Sequence, residues 1–596
     1  MAGVGRGEIM KTQKSFACVI GACLVWAAGS VHAQSALAAI ACDGTPAAGT
    51  VNVPDDADLW AAPAGYYSGV SGTGSKLKQT LGAAMTNGHI QRSYGDFRYA
   101  SPFFDADPNV PGRILLVYNR SSVSGNWDSG STWNREHVWP QSRQPGSVSN
   151  SSRGHLGDPH ALRPANPSIN SSRGNKPFGF GNTTGNFGSQ GSYYFPGDRD
   201  KGDIARSLFY SATRYASSGL VLTNNFPSGN QMGSLDAAME WHFLDTPDEF
   251  ERRRNHVIYS QADNPSYYTR NRNAFVDMPG AAWSVYVDDL NDSRLWVGSG
   301  PASDGSSSVD LCVRAIGEFT PPAFDVTLNR DGVDGVYYAV SSSGDAVSDQ
   351  PLHNGFTGAF PIGNASSRTI RVGIDPSVVD GPGIYSGSVT VDNLDMTTGF
   401  GAGRGGNDGD DVIGVSFESL TPSLASLAPE AQVTTLDVDA DLLTLGDTAE
   451  IEIPIYALDA GFPAAPVVSL VGLAGSSGIV DVVLPSTAIL PGGSANLVVE
   501  VTPNEAGPLV IFVTLGTADD PTIMGAMDRG TLALTITAPV RDTRDLNGDG
   551  TVDAVDLATL LEILDVNDPF SDLSGDGAFD VFDVLAYLAQ EGVQGG

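Results

Sequence analysis

Trp133-Asn134-Arg135-Glu136-His137-Val138-Trp139-Pro140-Gln141-Ser142 sets a carboxylate directly beside an imidazole. About twenty residues on, Gly157-Asp158-Pro159-His160-Ala161-Leu162-Arg163-Pro164-Ala165-Asn166 runs to Asn170 and Arg173-Gly174-Asn175. It adds an amide, a second imidazole and two guanidiniums. A histidine near its ordinary pKa takes a proton from water at neutral pH. A carboxylate and an amide carbonyl are hard oxygen ligands of the kind Mg2+ accepts while keeping waters and a substrate phosphate. Arginine forks phosphate oxygens in one plane. Together these residue types imply metal-assisted cleavage of a phosphodiester.

The two stretches resemble the secreted endonuclease I family, of the His-Me finger (ββα-metal) superfamily. The resemblance continues in Leu77-Lys78-Gln79-Thr80-Leu81 and Ser93-Tyr94-Gly95 upstream. Downstream it takes in Lys201 to Tyr210, Trp241-His242, Phe250 to Asn255 and Asn271-Arg272-Asn273, and it covers about 60–287. It implies an α+β nuclease domain that cuts double-stranded DNA, and RNA as well, without sequence preference, leaving 5′-phosphates. His137 would be the general base, and Glu136 and Asn170 the Mg2+ ligands. A phosphate-clamping arginine is expected. Arg143, Arg153, Arg163, Arg173 and Arg206 compete for that role, with Arg173 and Arg206 favoured. His160 is weighed equally as catalytic and as scaffolding. The family's common bacterial branch carries more cysteines here; this chain has none in the region, so packing or ions must hold the loops. One difficulty is geometric. Neighbours on a strand point to opposite faces, so Glu136 and His137 can share a phosphate only at a bulge, a twist or the strand's end.

The chain has 596 residues and a net charge of -35, so several domains are expected. Its pI near 4.3 is unusual for a phosphate-binding protein. The charge is uneven, however: 86–290 holds about 19 of the 33 Lys and Arg with as many acids. A near-neutral site on an acidic chain predicts weak, salt-sensitive nucleic-acid binding. Arg6, Lys11 and Lys14 precede the apolar run Phe16 to Gly29, and Val31-His32-Ala33 reads as a cleavage site. Residues 1–33 are therefore expected to be a signal peptide, too short and wrongly flanked for a membrane span. Ile20-Gly21-Ala22-Cys23, a loose lipoprotein box, sits too deep in the apolar run to compete. The expected location is outside the cell, free or attached to its surface. Cys42 and Cys312 remain after cleavage, and in an oxidising compartment they are expected to bridge.

Residues 34–59 read as a leader and 60–322 as the nuclease domain. Ile204, Ala205, Leu208, Phe209 and Ala212 predict an apolar helical face. Thr246-Pro247-Asp248-Glu249 predicts a capping box opening a second helix, with Arg252 to Arg254 on a solvated face or against nucleic acid. Alternating or β-branched runs such as Thr369 to Val372, Ser388 to Val391, Ala495 to Glu500 and Leu509 to Val513 predict two all-β sandwich modules, 323–427 and 428–540, as spacers. Gly401 to Gly406 spells GxGxxG without a strand-to-helix context and reads as a loop. In 541–596, Asp545, Asn547, Asp549, Thr551, Asp553 and Asp556 place oxygens at calcium-loop positions around Gly550. The pattern repeats at Asp572, Ser574, Asp576, Ala578, Asp580 and Asp583. This duplicated loop with following helices resembles a small α dockerin-type module. That implies Ca2+ and a cohesin-like or cell-surface partner. The alternatives to a multidomain secreted nuclease are a non-catalytic surface adhesion protein retaining the nuclease fold, and a phosphodiesterase for small or lipid diesters.

Overall fold

The computed structural model describes residues 45–55, 59–179, 186–287, 291–300, 305–317, 320–394, 409–475, 478–566, 571 and 577–590. The expected signal peptide, Cys42, the Gly401 to Gly406 loop and Asp572, Ser574 and Asp576 lie outside these residues. Among the described residues no helix is long and apolar enough to cross a membrane.

In chain order the elements that build the site are α1 (Gly74–Ala84), α2 (Phe97–Phe104), β1 (Arg113–Leu115) and β2 (Ser122–Ser124). Next come β3 (Asn134–His137), β4 (Leu162–Ala165), α3 (Pro167–Arg173), α4 (Lys201–Arg214), α5 (Leu235–Leu244) and α6 (Glu249–Tyr259). β3 and β4 pair antiparallel, with Asn134 opposite Ala165, Glu136 opposite Arg163 and His137 opposite Leu162. Pro140 lacks the N–H a ladder needs, and β3 accordingly stops at His137. Asn166 then caps α3 by accepting from the amides of Ser168 and Ile169, with Pro167 at the first helical position. The result is a strand, a long loop, a strand and a helix in immediate succession.

α4 carries the predicted apolar residues, but every residue from Gly202 to Thr213 is buried. It is the central helix, packed on α1 and α5. Its polar side chains are therefore internal and must be satisfied there. α6 begins two residues later than Thr246 predicts. Asp248 is the N-cap, accepting from the Glu251 amide at 2.8 Å. The Glu251 carboxylate that would complete a box is taken by Arg206. Arg252 and Arg254 do not form a solvated face, and Arg253 is half-buried with Nη2 3.4 Å from the Phe103 carbonyl. Arg254 is buried and donates to Asp105 at 2.7 Å and to the carbonyls of Pro159 and Leu162. Arg252 is buried and meets His353 Nδ1 at 2.6 Å.

Both sandwiches are present, with a shifted boundary. Strands Arg294–Val297 and Ser308–Ile316 belong to the first sandwich, not to the nuclease domain drawn to 322. Ser308–Ile316 pairs in parallel with Asp411–Leu420, and the two sheets enclose an apolar core that includes Val340, Ile370, Val389 and Phe417. The second sandwich starts at Ala425, and its core includes Leu497, Ile511 and Ile536. The first sandwich is no loose spacer. Tyr337 is wholly buried in the nuclease core with Phe356, and its hydroxyl donates to the His242 carbonyl at 2.7 Å. Cys312, on the first sandwich, is disulfide-bonded.

Candidate active site

The alternation of β3 separates its side chains onto two faces. Asn134 and Glu136 face α3. Asn170 Nδ2 donates to Asn134 Oδ1 at 2.7 Å, and one turn on, Arg173 Nη1 donates to Glu136 Oε1 at 2.9 Å. The same guanidinium reaches the carbonyls of His137 at 2.9 Å and Val138 at 2.8 Å, and its face lies 4.5 Å from the Phe178 ring. Tyr118 also donates to Glu136 Oε1, at 2.7 Å. Glu136 is 2 % exposed, and burial pushes its carboxyl up against the opposing pull of Arg173. Both fixed bonds fall on Oε1. Glu136 Oε2 and Asn170 Oδ1 carry no hydrogen bond among the described residues.

His137 lies on the other face. Its Nε2 is 3.1 Å from the Leu156 carbonyl, an acceptor, so Nε2 carries the hydrogen and Nδ1 holds the lone pair. The ring stacks on Tyr94 at 4.8 Å and 22°. Burial lowers its pKa to about 4, so the imidazole is neutral near pH 7. The opposite-face difficulty thus stands in the structure: Glu136 and His137 do diverge. They occupy the last two positions of β3.

The loop from Val138 to Ala161 positions that Leu156 carbonyl, and the motif residues pin it. Asp158 accepts from Tyr210 and Tyr215, both at 2.6 Å, and from the His160 amide. Gly157 is required by close approach: a Cβ there would lie 2.5 Å from the Ser152 carbonyl and 2.8 Å from Tyr94 N. The loop is thereby locked against the segment that carries Tyr94, without cysteines.

Several expected site residues lie elsewhere. His160 is a scaffold residue: it is buried, its Nε2 is 3.3 Å from the Asn271 carbonyl, and burial lowers its pKa to about 3. Arg173 is 1 % exposed with its guanidinium spent on Glu136 and two carbonyls, so it positions Glu136 and does not face outward as a clamp. Arg206 is wholly buried between Glu251 at 2.5 Å and the Asp245 carbonyl at 2.6 Å. Arg163 is held by Asp203 at 3.3 Å. Arg143 and Arg153 remain near the surface, on the carbonyls of Pro227 and Gln91. Tyr118, Tyr94 and the Leu156 carbonyl were not among the expected site residues. Tyr94 lies in the Ser93-Tyr94-Gly95 stretch, while the other two have no local signal.

In the tail, Asp545 accepts from the amides of Gly548, Asp549 and Gly550, and Asp556 from those of Asn547 and Asp553. Asp583 accepts from the Asp580 amide, as Asp556 does from Asp553. Helices Ala554–Asp565 and Val581–Gln590 follow the two loops. Among the described residues no group of three or more His, Cys, Asp or Glu side chains is gathered to hold a metal.

The family model for endonuclease I matches residues 73–280. The extracellular ribonuclease of Bacillus subtilis (strain 168) is 37% identical over 235 residues, 37% of this chain and 78% of that protein. The chain belongs to the endonuclease I family. The extracellular ribonuclease of Bacillus amyloliquefaciens is 36% identical over the same shares of both chains. The matched endonuclease I region includes β3, β4, α3 and the pinned loop. Among solved structures, one of unknown function from Porphyromonas gingivalis W83 aligns over 41% of this chain and 99% of that one, with 16% identity and a TM-score of 0.18, too slight a likeness to carry an argument.

Proposed function

We propose that the chain is a secreted, divalent-metal-dependent endonuclease of the His-Me finger type. It hydrolyses phosphodiesters of DNA and RNA without sequence preference. The observation that carries this reading is the commitment of His137 Nε2 to the Leu156 carbonyl, which leaves Nδ1 as a neutral base at the end of β3. The printed name of both Bacillus relatives, extracellular ribonuclease, supports RNA among the substrates and an extracellular site of action.

In this mechanism His137 Nδ1 takes a proton from water as the water oxygen attacks phosphorus. The bond to the 3′ oxygen breaks, and that oxygen takes a proton from solvent water and leaves as a 3′-hydroxyl, so the products are a 5′-phosphate and a 3′-hydroxyl. Nε2–H, held by Leu156, keeps the ring oriented and shares the positive charge that develops. Glu136 Oε2 and Asn170 Oδ1 are uncommitted oxygens on one face, a donor pair that fits Mg2+ with waters and phosphate in the remaining positions. Mg2+ there would stabilise negative charge on the phosphate and the leaving oxygen. Arg173 and Tyr118 hold Oε1 so that Oε2 points away from them. For the tail we propose Ca2+ at both loops, supported by the repeated aspartate pattern and the paired helix starts at Asp553 and Asp580. A cohesin-like or cell-surface partner remains part of this reading.

The test is digestion of supercoiled plasmid and of RNA by the mature chain, with and without EDTA. Metal-dependent cleavage of both supports the reading. Intact nucleic acid beside turnover of a small diester favours the phosphodiesterase, and no turnover by a folded chain favours the adhesion protein.

A further inference from the structure

The arginines of the nuclease unit differ in what they face. Arg120, Arg163, Arg173, Arg206, Arg254 and Arg272 each face a buried carboxylate. Arg98 and Arg135 have no carboxylate within ion-pair reach among the described residues. They meet aromatic rings instead. The Arg135 guanidinium carbon lies 3.7 Å from the Tyr94 ring centre and 5.3 Å from that of Trp127. That of Arg98 lies 5.3 Å from the Tyr99 ring. Arg98 Nε donates to the Gly95 carbonyl at 2.8 Å, next to Tyr94. Arg98 Nη2 and the Asn150 Cβ each lie 3.2 Å from where a Cβ on Gly95 would sit, and Arg135 Nη1 donates to Asn150 Oδ1 at 3.2 Å, so the two guanidiniums converge on one spot. Tyr94 in turn stacks on His137. Imidazole, phenol, guanidinium and indole therefore form a connected series that starts at the proposed base, with Arg98 and Tyr99 beside it.

The exposure of this series is what gives it meaning. Tyr99 is 50% exposed, and Trp127, Arg98 and Arg135 are half-buried. Arg135 Nη1 donates to the Tyr94 carbonyl at 2.7 Å and to Asn150 Oδ1 at 3.2 Å, and Arg98 Nε to the Gly95 carbonyl, which leaves the other guanidinium N–H groups to meet phosphate oxygens. An exposed ring offers a π face to any base that is not already stacked. In a duplex the bases are stacked inside and cannot reach it. Alternating unneutralised cations and accessible rings are the requirement for a single strand. They also supply a local phosphate site on a chain of net charge -35.

We propose that Arg98, Tyr99, Trp127 and Arg135 form a track that binds single-stranded nucleic acid and leads it to His137. The proposal rests on the nuclease reading for what happens at the track's end, but binding can be measured without cleavage. The experiment is fluorescence anisotropy of the mature full chain in EDTA, with a labelled twelve-nucleotide oligothymidylate and a blunt hairpin duplex of equal charge, over a range of KCl concentrations. The oligothymidylate is expected to bind more tightly than the duplex. Arg98→Gln/Tyr99→Ala alters no fully buried side chain. It is expected to weaken oligothymidylate binding by about fivefold or more and to reduce its log–log salt slope by about 0.7, leaving duplex binding unchanged. Trp127→Phe, which keeps a ring in the same packing, is expected to fall between the double variant and the wild type. Equal affinity of the wild type for the two ligands, or an unchanged oligothymidylate affinity in Arg98→Gln/Tyr99→Ala, overturns the track. If the chain cleaves nucleic acid while the double variant binds as wild type does, the track fails and the nuclease reading stands. If the track binds but no divalent ion supports cleavage, the nuclease reading fails and the track stands.

Discussion

Replacing Arg173 by methionine keeps a stem of similar length and removes the cation that fixes Glu136. The guanidinium makes three bonds, to Glu136 Oε1 at 2.9 Å and to the carbonyls of His137 and Val138 at 2.9 and 2.8 Å. Removing one partner of a buried ion pair costs about 3–5 kcal/mol because the other charge stays buried. Two carbonyls that lose their donor add about 1 kcal/mol between them after relaxation. The loss is then about 4–6 kcal/mol, and in a unit of roughly 200 residues it lowers the midpoint by roughly 10–20 °C. Near-UV circular dichroism is a suitable assay, since Trp133, Trp139 and Trp241 are all buried in this unit. The decisive comparison is a cycle of Arg173→Met, Glu136→Gln and the double variant. Glu136→Gln removes the stranded charge and keeps an acceptor for Tyr118, so the double variant is expected to be about 2 kcal/mol more stable than the two single losses added together. Additive losses would refute the account of Arg173 as the counter-charge of Glu136.

Asp158→Ala strands the Tyr210 and Tyr215 hydroxyls, each bonded at 2.6 Å. It is expected to cost about 2–4 kcal/mol and, by loosening the Leu156 carbonyl, to lower kcat more than it raises KM; single-substrate kinetics on RNA check this. His242 is wholly buried, and burial, followed by the Arg206 charge, lowers its pKa to about 3. The unfolded chain protonates this imidazole below about pH 6.5 and the folded chain does not, so its contribution is complete above that pH and is lost as pH falls from there toward 3. Its share of the loss between pH 7 and pH 5 is about 2 kcal/mol, and His242→Phe should flatten the stability–pH profile by that amount in denaturant melts at the two pH values. Removing calcium from the full chain should unfold the helices Ala554–Asp565 and Val581–Gln590 while leaving the nuclease transition in place. Far-UV circular dichroism that does not change on chelation would argue against the calcium loops.

The placement of some candidate residues could be read from the sequence where residue type restricts chemistry. A glutamate beside a histidine, with an asparagine and a proline-started helix about thirty residues on, has few uses, and the structure sets Asn134 and Glu136 together on the α3 face. The arginines could not be read this way. A guanidinium's role depends on whether a carboxylate lies near in space, and the partners are remote: Glu251 for Arg206 and Asp105 for Arg254. The same holds for the sandwich boundary. Ser308–Ile316 finds its parallel neighbour about a hundred residues later, and nothing local marks it as other than nuclease. At α6 both Thr246 and Asp248 are good caps, and the Arg206–Glu251 pair inside the fold decides between them. The His137 tautomer depends on a carbonyl in the loop, which no residue type announces.

The most direct test of the central claim is single-turnover cleavage of a defined RNA by the wild type and by His137→Ala, in Mg2+ and in EDTA, with folding verified by circular dichroism. The account predicts Mg2+-dependent cleavage with 5′-phosphate ends and a loss of about 100- to 10,000-fold in His137→Ala. Cleavage by His137→Ala at the wild-type rate, or ends that carry a 3′-phosphate, would contradict it.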